Sequence, residues 1–418
     1  MGFDFTSYLS SLYPGEEYEI QVLLGGLVNH TVRARRTDTA DTPAKSGSAD
    51  GPKTAILKYA PPYVASIGED APFSQDRQLT EASALRILGD GYLTSRVKGI
   101  KIPRVLSHDP VHSILIIEDL GPLITLWDFL ESATNPRTAA TAALLGHRVG
   151  AFFAELHRPS TLAHIHLHSP PSDLAILDRA PITAPLVRSA AVEPIRFRLR
   201  SPGGLTDAAE ADALYARVVG DFERANAPAG ESCLSIGDCH PGAILVDPVL
   251  LLLSGGDDEG EVPDMGVIDW EFSTARRGRG ANGDAAQFLA SVHALWLSLA
   301  PGSPAWKATG AFGRAMCEGY AEGAGYAGRD VRMDPAVVGI SRSALILHGR
   351  ELINQAVERP WGSRGRSVAE MVREGIWYLE RAGDGVDEML EQGNWDLLMG
   401  EESGFMLRLF GLYRESRS

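Results

Sequence analysis

The sequence predicts an α+β fold in two lobes: a small β-rich lobe over residues 1–120 and a large, mostly helical lobe over residues 121–418. Three observations carry this. Short apolar runs of strand character crowd into the first 118 residues around a single helical stretch. Beyond residue 121 the apolar spacing turns helical for most of the chain. Two Asp-bearing segments, 235–247 and 266–272, interrupt that helical part, each coupled to a β-like run.

Tyr18–Leu24 and Val28–Arg36 read as strands joined by Gly25-Gly26-Leu27, and Thr54–Tyr59 as a third. The insert Thr37–Pro52, rich in Thr, Asp, Ser, Gly and Pro, reads as a mobile hairpin tip. Asp76–Leu88 fits a helix with Leu79, Ala82 and Leu85 on one face. Val105–His108 and Ile114–Glu118 complete five strands, and Asp119-Leu120-Gly121-Pro122 reads as the connection to the large lobe. There, Thr138–His157 carries a helical stripe of Leu145, Val149, Phe152, Phe153 and Leu156. Residues 169–204 read as a long irregular connection with short helical pieces, and Thr206–Asn226 as a helix. A hairpin with the acidic tip Ser254–Asp264 separates the two Asp segments. Helices are predicted over Ala281–Leu299, Pro304–Ala324, Pro335–Glu358, Ser367–Ala382 and Asn394–Glu415.

Composition narrows the function. The formal net charge is −15, from 54 acidic and 39 basic residues, and no basic patch stands out. That argues against a nucleic-acid partner and against docking on anionic membranes. No run reaches the ~18 apolar residues of a membrane helix. No signal peptide is evident, and three Cys without a CxxC read as reduced thiols of a cytoplasmic protein.

The segment Ser235-Ile236-Gly237-Asp238-Cys239-His240-Pro241-Gly242-Ala243-Ile244-Leu245-Val246-Asp247 places an Asp in a loop that leads into a strand. Gly266-Val267-Ile268-Asp269-Trp270-Glu271-Phe272 places a second Asp just after one. Phosphoryl transfer needs such a pair, one carboxylate beside the incoming hydroxyl and another to hold Mg²⁺ against the phosphates of ATP. Gly25-Gly26, followed by Asn29, can bring backbone amides close to a polyphosphate, although a Gly-Gly turn alone is more often a plain hairpin. Lys58 sits in the third strand and Glu81 on the following helix. Taken singly they read as a solvated Lys and a surface carboxylate, taken together as a phosphate-binding ion pair.

These segments resemble the aminoglycoside phosphotransferase and choline kinase superfamily, clearly from Gly25 to Ala290 and loosely beyond. The Asp-x-Glu of 269–271 and the run from Lys58 to Val64 with Arg77 and Glu81 look most like methylthioribose kinases. The resemblance implies a protein-kinase-like fold and transfer of the ATP γ-phosphoryl group to a hydroxyl of a small polar, sugar-like acceptor. It makes Asp238 catalytic and Asp269 and Glu271 the Mg²⁺ ligands. It assigns Gly25, Gly26, Asn29, Lys58, Glu81, Glu118 and Leu120 to the nucleotide, and Arg350 to the acceptor. His240 would brace its loop, and Asp284 would N-cap a helix and orient that loop.

The chain departs from the family at Ile236, where a His is common, at Ala243, where an Asn ligand is common, and at Arg350-Glu351, where methylthioribose kinases carry Arg-Arg. Ile236 and Ala243 leave open a pseudokinase that binds nucleotide or metabolite without turnover. Arg350 leaves open an aminoglycoside, choline or homoserine acceptor, or a simple pair with Glu351 or Asn354. A choline-type acceptor would want an aromatic cage, for which Trp296, Trp361 and Trp377 are available. Glu271 has a plain reading as a surface acid. Arg276, Arg277 and Arg279 read equally as phosphate holders or as a solvated turn. His164, His166 and His168 alternate as on a strand face, with a solvated loop as the simpler reading. Oligomeric state is not legible.

Overall fold

The computed structural model describes residues 3–24, 26–37, 51–179, 182–225, 232–251, 264–361, 365–390 and 404–412. Its small lobe is a five-stranded antiparallel sheet in the order Tyr18–Val22, His30–Arg36, Thr54–Tyr59, Ile114–Glu118, Val105–Asp109. Strand periodicity sends alternate residues to opposite faces. Ala55 and Leu57 join Val32, Ala34, Ile114 and Ile116 in a core covered by the N-terminal helix Phe5–Leu12, which the sequence reading did not include. Ile56, Leu115 and Ile117 pack on the opposite side, with the helix Asp76–Leu88. Lys58 falls on that second face, paired with Leu115 across the sheet. Its side chain therefore meets the helix rather than solvent.

The segment that leads into the large lobe is held by charge. Arg33 pairs with Asp119 at 2.9 Å and also donates to the Gly121 carbonyl at 2.6 Å. In the large lobe, Ile244–Val246 pairs antiparallel with Met265–Val267, Ile244 opposite Val267. Ile124–Thr125 and Ile100–Lys101 add a strand on either side. The start of one central strand lies opposite the end of the other. The loop before Ile244 and the loop after Val267 therefore leave the hairpin at the same end, and these loops carry Asp238 and Asp269.

The large lobe is completed by helices close to their expected bounds, Thr138–Leu156 packed on Pro304–Ala324 and Pro335–Glu358 packed on Val368–Arg381. The α+β, two-lobed expectation holds. Two local expectations change. The Ala281 stretch opens with a kinked turn, Gly280–Ala285, in which Gly283 leaves helical dihedrals, before the helix Ala286–Ser298. The three alternating His lie on a helix, Pro159–His168, because Thr161 and Ile165 form a buried stripe at i and i+4. His164 and His168 then share a face beside Tyr92, while His166 turns toward Asp178. Gly25, the interior of the 37–52 insert, nearly all of the acidic tip 254–264 and most of the stretch 394–415 lie outside the described residues. Phe405–Leu409 is the part of that last stretch seen as helix. No described helix is long and apolar enough to cross a membrane.

Candidate active site

The strand lysine is the centre of the site. Lys58 Nζ lies 2.8 Å from Glu81 Oε1 and 2.9 Å from Asp269 Oδ1, so one buried ammonium ties the strand, its covering helix and the large-lobe loop together. Burial works against the charge of Lys58, but Asp269, Glu81 and Glu271 together outweigh it and raise its pKa. Glu81 is almost wholly buried, and burial raises its pKa although Lys58 pulls the other way.

Asp269 adopts a left-handed backbone, φ 62°, uncommon for a residue with a side chain. The turn aims its carboxylate back at the small lobe. Burial opposes its ionisation, but Lys58 overcomes that and holds its pKa below the usual carboxylate value. The side chain stays 36% exposed, leaving an oxygen open to the cleft. Glu271, two residues on, is buried and accepts a 2.5 Å hydrogen bond from Asn29 Nδ2. Burial first, then Glu81 and Asp269, push its pKa up to about 7. It also borders a cavity of about 10 Å³, room for one water, lined by Thr80, Arg179, Thr183 and Phe272 among others.

Asn29 bridges the lobes. Its Nδ2 meets Glu271, and its Oδ1 accepts from Arg77 Nε at 3.1 Å. The guanidinium of Arg77 is fully buried and donates to the carbonyls of Phe73, Ser74, Val28 and Pro61. Arg77 thus ties the glycine turn, the Pro61 turn and the start of the 76–88 helix to one point. Both ends of the Asn29 amide are thus engaged by protein side chains. Gly26 sits beside the Asn29 carbonyl at the base of this turn.

Asp238 is held by different elements. Gly237 has φ 95°, and a Cβ there would stand 2.2 Å from the Phe272 carbonyl. The absence of a side chain lets the two acid-bearing loops touch. Asp284 accepts from the amides of Ile236 and Gly237 at 2.7 and 2.9 Å, and from His157 Nε2 at 3.2 Å. It orients the loop as expected, but its carboxylate is spent on the loop amides just after the kink at Gly283 rather than on capping the helix. His240 Nδ1 accepts from the Gly242 amide at 3.0 Å, bracing the loop. Gln287 Nε2 donates to Asp238 Oδ1 at 2.8 Å. The other oxygen of Asp238 has no hydrogen bond among the described residues. Ile236 and Ala243 are fully buried; Ala243 offers its carbonyl to the amide of Ile268, again joining the two loops.

The expected residues thus fall into four groups. Lys58, Glu81, Asn29, Asp269 and Glu271 form one network. Asp238 stands on its own support, and among the described residues no three acid, His or Cys side chains cluster closely enough to hold a metal ion. Arg350 lies apart on the helix Pro335–Glu358, bonded to Glu351 through both Nε and an Nη. At the connection between the lobes, Glu118 pairs with Arg104 at 3.1 Å, and Leu120 packs over Gly266, where a Cβ would stand 2.7 Å from its Cδ1. Arg279 is held inside the fold by Asp221, and Arg276 pairs with Asp178. The tryptophans do not form a cage: Trp296 stacks on Trp306, Trp361 leans on Trp127, and Trp377 meets Tyr378. Sequence reading missed Gln287 and the bridging role of Asn29. A Gln three residues after Asp284 lies one helical turn along and was the available signal for the first.

A strand lysine braced by a helix glutamate, beneath a hairpin that presents two acid-bearing loops, is a kinase-like arrangement. Comparison with known proteins repeats the resemblance read from the motifs. The chain is 32% identical over 140 residues to a 4-hydroxytryptamine kinase of Psilocybe cyanescens, covering 33% of this chain and 36% of that one. It is 35% identical over 108 residues to a methylthioribose kinase of Bacillus cereus, covering 26% of this chain and 24% of the relative. The matches therefore span about a third or less of those relatives' length. Among solved structures, a choline kinase from Cryptosporidium parvum aligns over 94% of this chain and 97% of its own, with 11% identity and a TM-score of 0.46. No family model matches the chain.

Proposed function

We propose that this protein is an ATP-dependent kinase of a small hydroxylated molecule, built as a nucleotide-binding lobe over residues 1–120 and a catalytic, acceptor-binding lobe over 121–418. The observation that carries the reading is Lys58, which bonds Glu81 within its own lobe and Asp269 across the cleft. A buried cation with two acids, one of them open to the cleft, is what an incoming polyphosphate would engage.

In this reading Lys58 and the Gly25-Gly26 turn steady the phosphates. The backbone of residues 118–120 receives the nucleotide base, and Asp238 receives the acceptor hydroxyl on its open oxygen. The hydroxyl oxygen forms a bond to the γ-phosphorus, the bridging P–O bond to the β-phosphate breaks, ADP leaves, and Asp238 takes the hydroxyl proton. Mg²⁺ suits the carboxylate donors here, since it takes one or two carboxylates and completes its shell with phosphate and water. Asp269, with an oxygen exposed, would hold it, and Glu271 would join by giving up its bond to Asn29. When bound, the ion would neutralise charge on the transferring group. Arg350, already paired with Glu351, would serve the acceptor as part of that pair.

The relatives' names supply two acceptor chemistries, a thio-sugar and a hydroxylated tryptamine. Both carry a free hydroxyl, and a small polar alcohol covers the two. The pseudokinase alternative draws on the bond from Asn29 to Glu271 and on the apolar Ala243. ATP consumption with Mg²⁺ over a panel of small alcohols, run beside Asp238→Asn, separates them. Turnover lost in the variant supports the kinase, and silence from the wild type with ATP still bound supports the pseudokinase.

A further inference from the structure

We infer that Gln287 is a positioning residue for Asp238, fixing one carboxylate oxygen so that the other is presented to the acceptor hydroxyl. The inference rests on the catalytic role proposed for Asp238.

An ionised carboxylate only accepts hydrogen bonds, so the amide must present its Nε2 at the 2.8 Å contact with Oδ1. This is the one hydrogen bond that the described residues give the Asp238 side chain, which is half-buried. A loop carboxylate with open space around it has several staggered rotamers available. The bond to Gln287 selects one. Glu351, on the helix Pro335–Glu358, lies within electrostatic reach of Asp238, with its own carboxylate held by Arg350.

Gln287 is itself well placed to do this. It is the second residue of the helix Ala286–Ser298. Helical side chains lean toward the N-terminus, which brings this one back over the 236–240 loop. That helix start is pinned twice. Asp284 grips the backbone of Ile236 and Gly237, and the Ala286 carbonyl accepts from buried His348 at 3.3 Å. His348 is in turn 3.0 Å from His293. One turn of chain thus holds both the backbone and the side chain of the catalytic loop.

Two measurements on the full-length protein test this. Gln287→Met keeps the length of the side chain and removes the donor. The expected result is kcat lower by about 10- to 100-fold, the range for a misplaced catalytic group, with KM for ATP changed less than twofold and the melting temperature unchanged. In an Asp238→Asn background the same substitution should cost nothing further. An unchanged kcat, or a loss confined to KM, overturns the inference. The second readout needs no turnover. In the wild type the side-chain NH₂ pair that disappears in Gln287→Met should be shifted and slow to exchange by ¹⁵N–¹H NMR, and it should move to the free-amide position in Asp238→Ala. A free-amide signal in the wild type overturns the inference. Silence of the wild type over the alcohol panel would sink the kinase reading instead, leaving the amide signal to decide the contact.

Discussion

Replacing Lys58 by Met removes the cation shared by Glu81 and Asp269 and leaves Glu81 buried without it. Breaking a buried ion pair from one side costs about 3–5 kcal/mol. Unfolding entropy of about 2.1 cal/mol/K per residue over the 418-residue chain comes to about 0.9 kcal/mol/K for a single cooperative unit. The melting temperature should therefore fall by about 3–6 °C. The loss depends on pH, with a definite sign. Burial already raises the Glu81 pKa, and without Lys58 it rises further. An acid whose folded pKa is raised favours the protonated folded state, so its stability is present at low pH and lost as pH increases. The gap between wild type and Lys58→Met should be small near pH 5 and widen toward pH 8. Glu81→Gln added to Lys58→Met should recover most of the loss. Melting curves of these three proteins at three pH values measure all of this. A Lys58→Met variant melting within 1 °C of wild type at pH 8, or a loss that shrinks as pH rises, would show that Lys58 does not neutralise a buried Glu81.

Glu271→Gln should separate stability from activity. Ionising Glu271 in the folded state, between an ordinary 4.5 and about 7, opposes folding over that window and above it. The variant should be more stable than wild type at pH 8 in Mg²⁺-free buffer, by on the order of 3 kcal/mol, with no gain at pH 4.5, while phosphotransfer falls at least tenfold. Equal melting temperatures at pH 8 would show that the carboxylate is not buried as described. Gly237→Ala combines a strained φ of 95° with a Cβ 2.2 Å from the Phe272 carbonyl. It should abolish turnover and lower stability by about 2 kcal/mol or more, and a fully active, equally stable variant would contradict the contact between the loops.

Much of the small lobe was legible because its pattern is local. Ala55, Leu57 and Lys58 alternate along one strand, and Thr54–Tyr59, Asp76–Leu88 and Ile114–Glu118 run as expected. The polar interior was not legible. Arg77, Gln78 and Glu81 are all buried on one helix, and each is accommodated by a tertiary partner. Gln78, for example, donates to the carbonyls of Lys58 and Ser113. Periodicity sees only their polarity and places them on the surface. The same limit hid the bond from Asn29 to Glu271, whose partners lie 242 positions apart. The three His near residue 166 misled because their own alternation was easier to see than the i, i+4 spacing of the buried Thr161 and Ile165. Asp238 and Asp269 stood out because loop chemistry and strand pattern occur together in a short segment. Their supports, Asp284 and Gln287, come from elsewhere in the chain.

In the proposed reaction Asp238 takes the proton of a small alcohol while Lys58 and Asp269 engage ATP. The most direct test follows ADP release from ATP and Mg²⁺ across thio-sugars, hydroxylated amines and polyols, with wild type and Asp238→Asn side by side. Acceptor-dependent ADP release by the wild type, reduced at least a hundredfold in the variant while ATP binding persists, is the result expected. Equal rates in the two proteins, or no release with any acceptor, would contradict it.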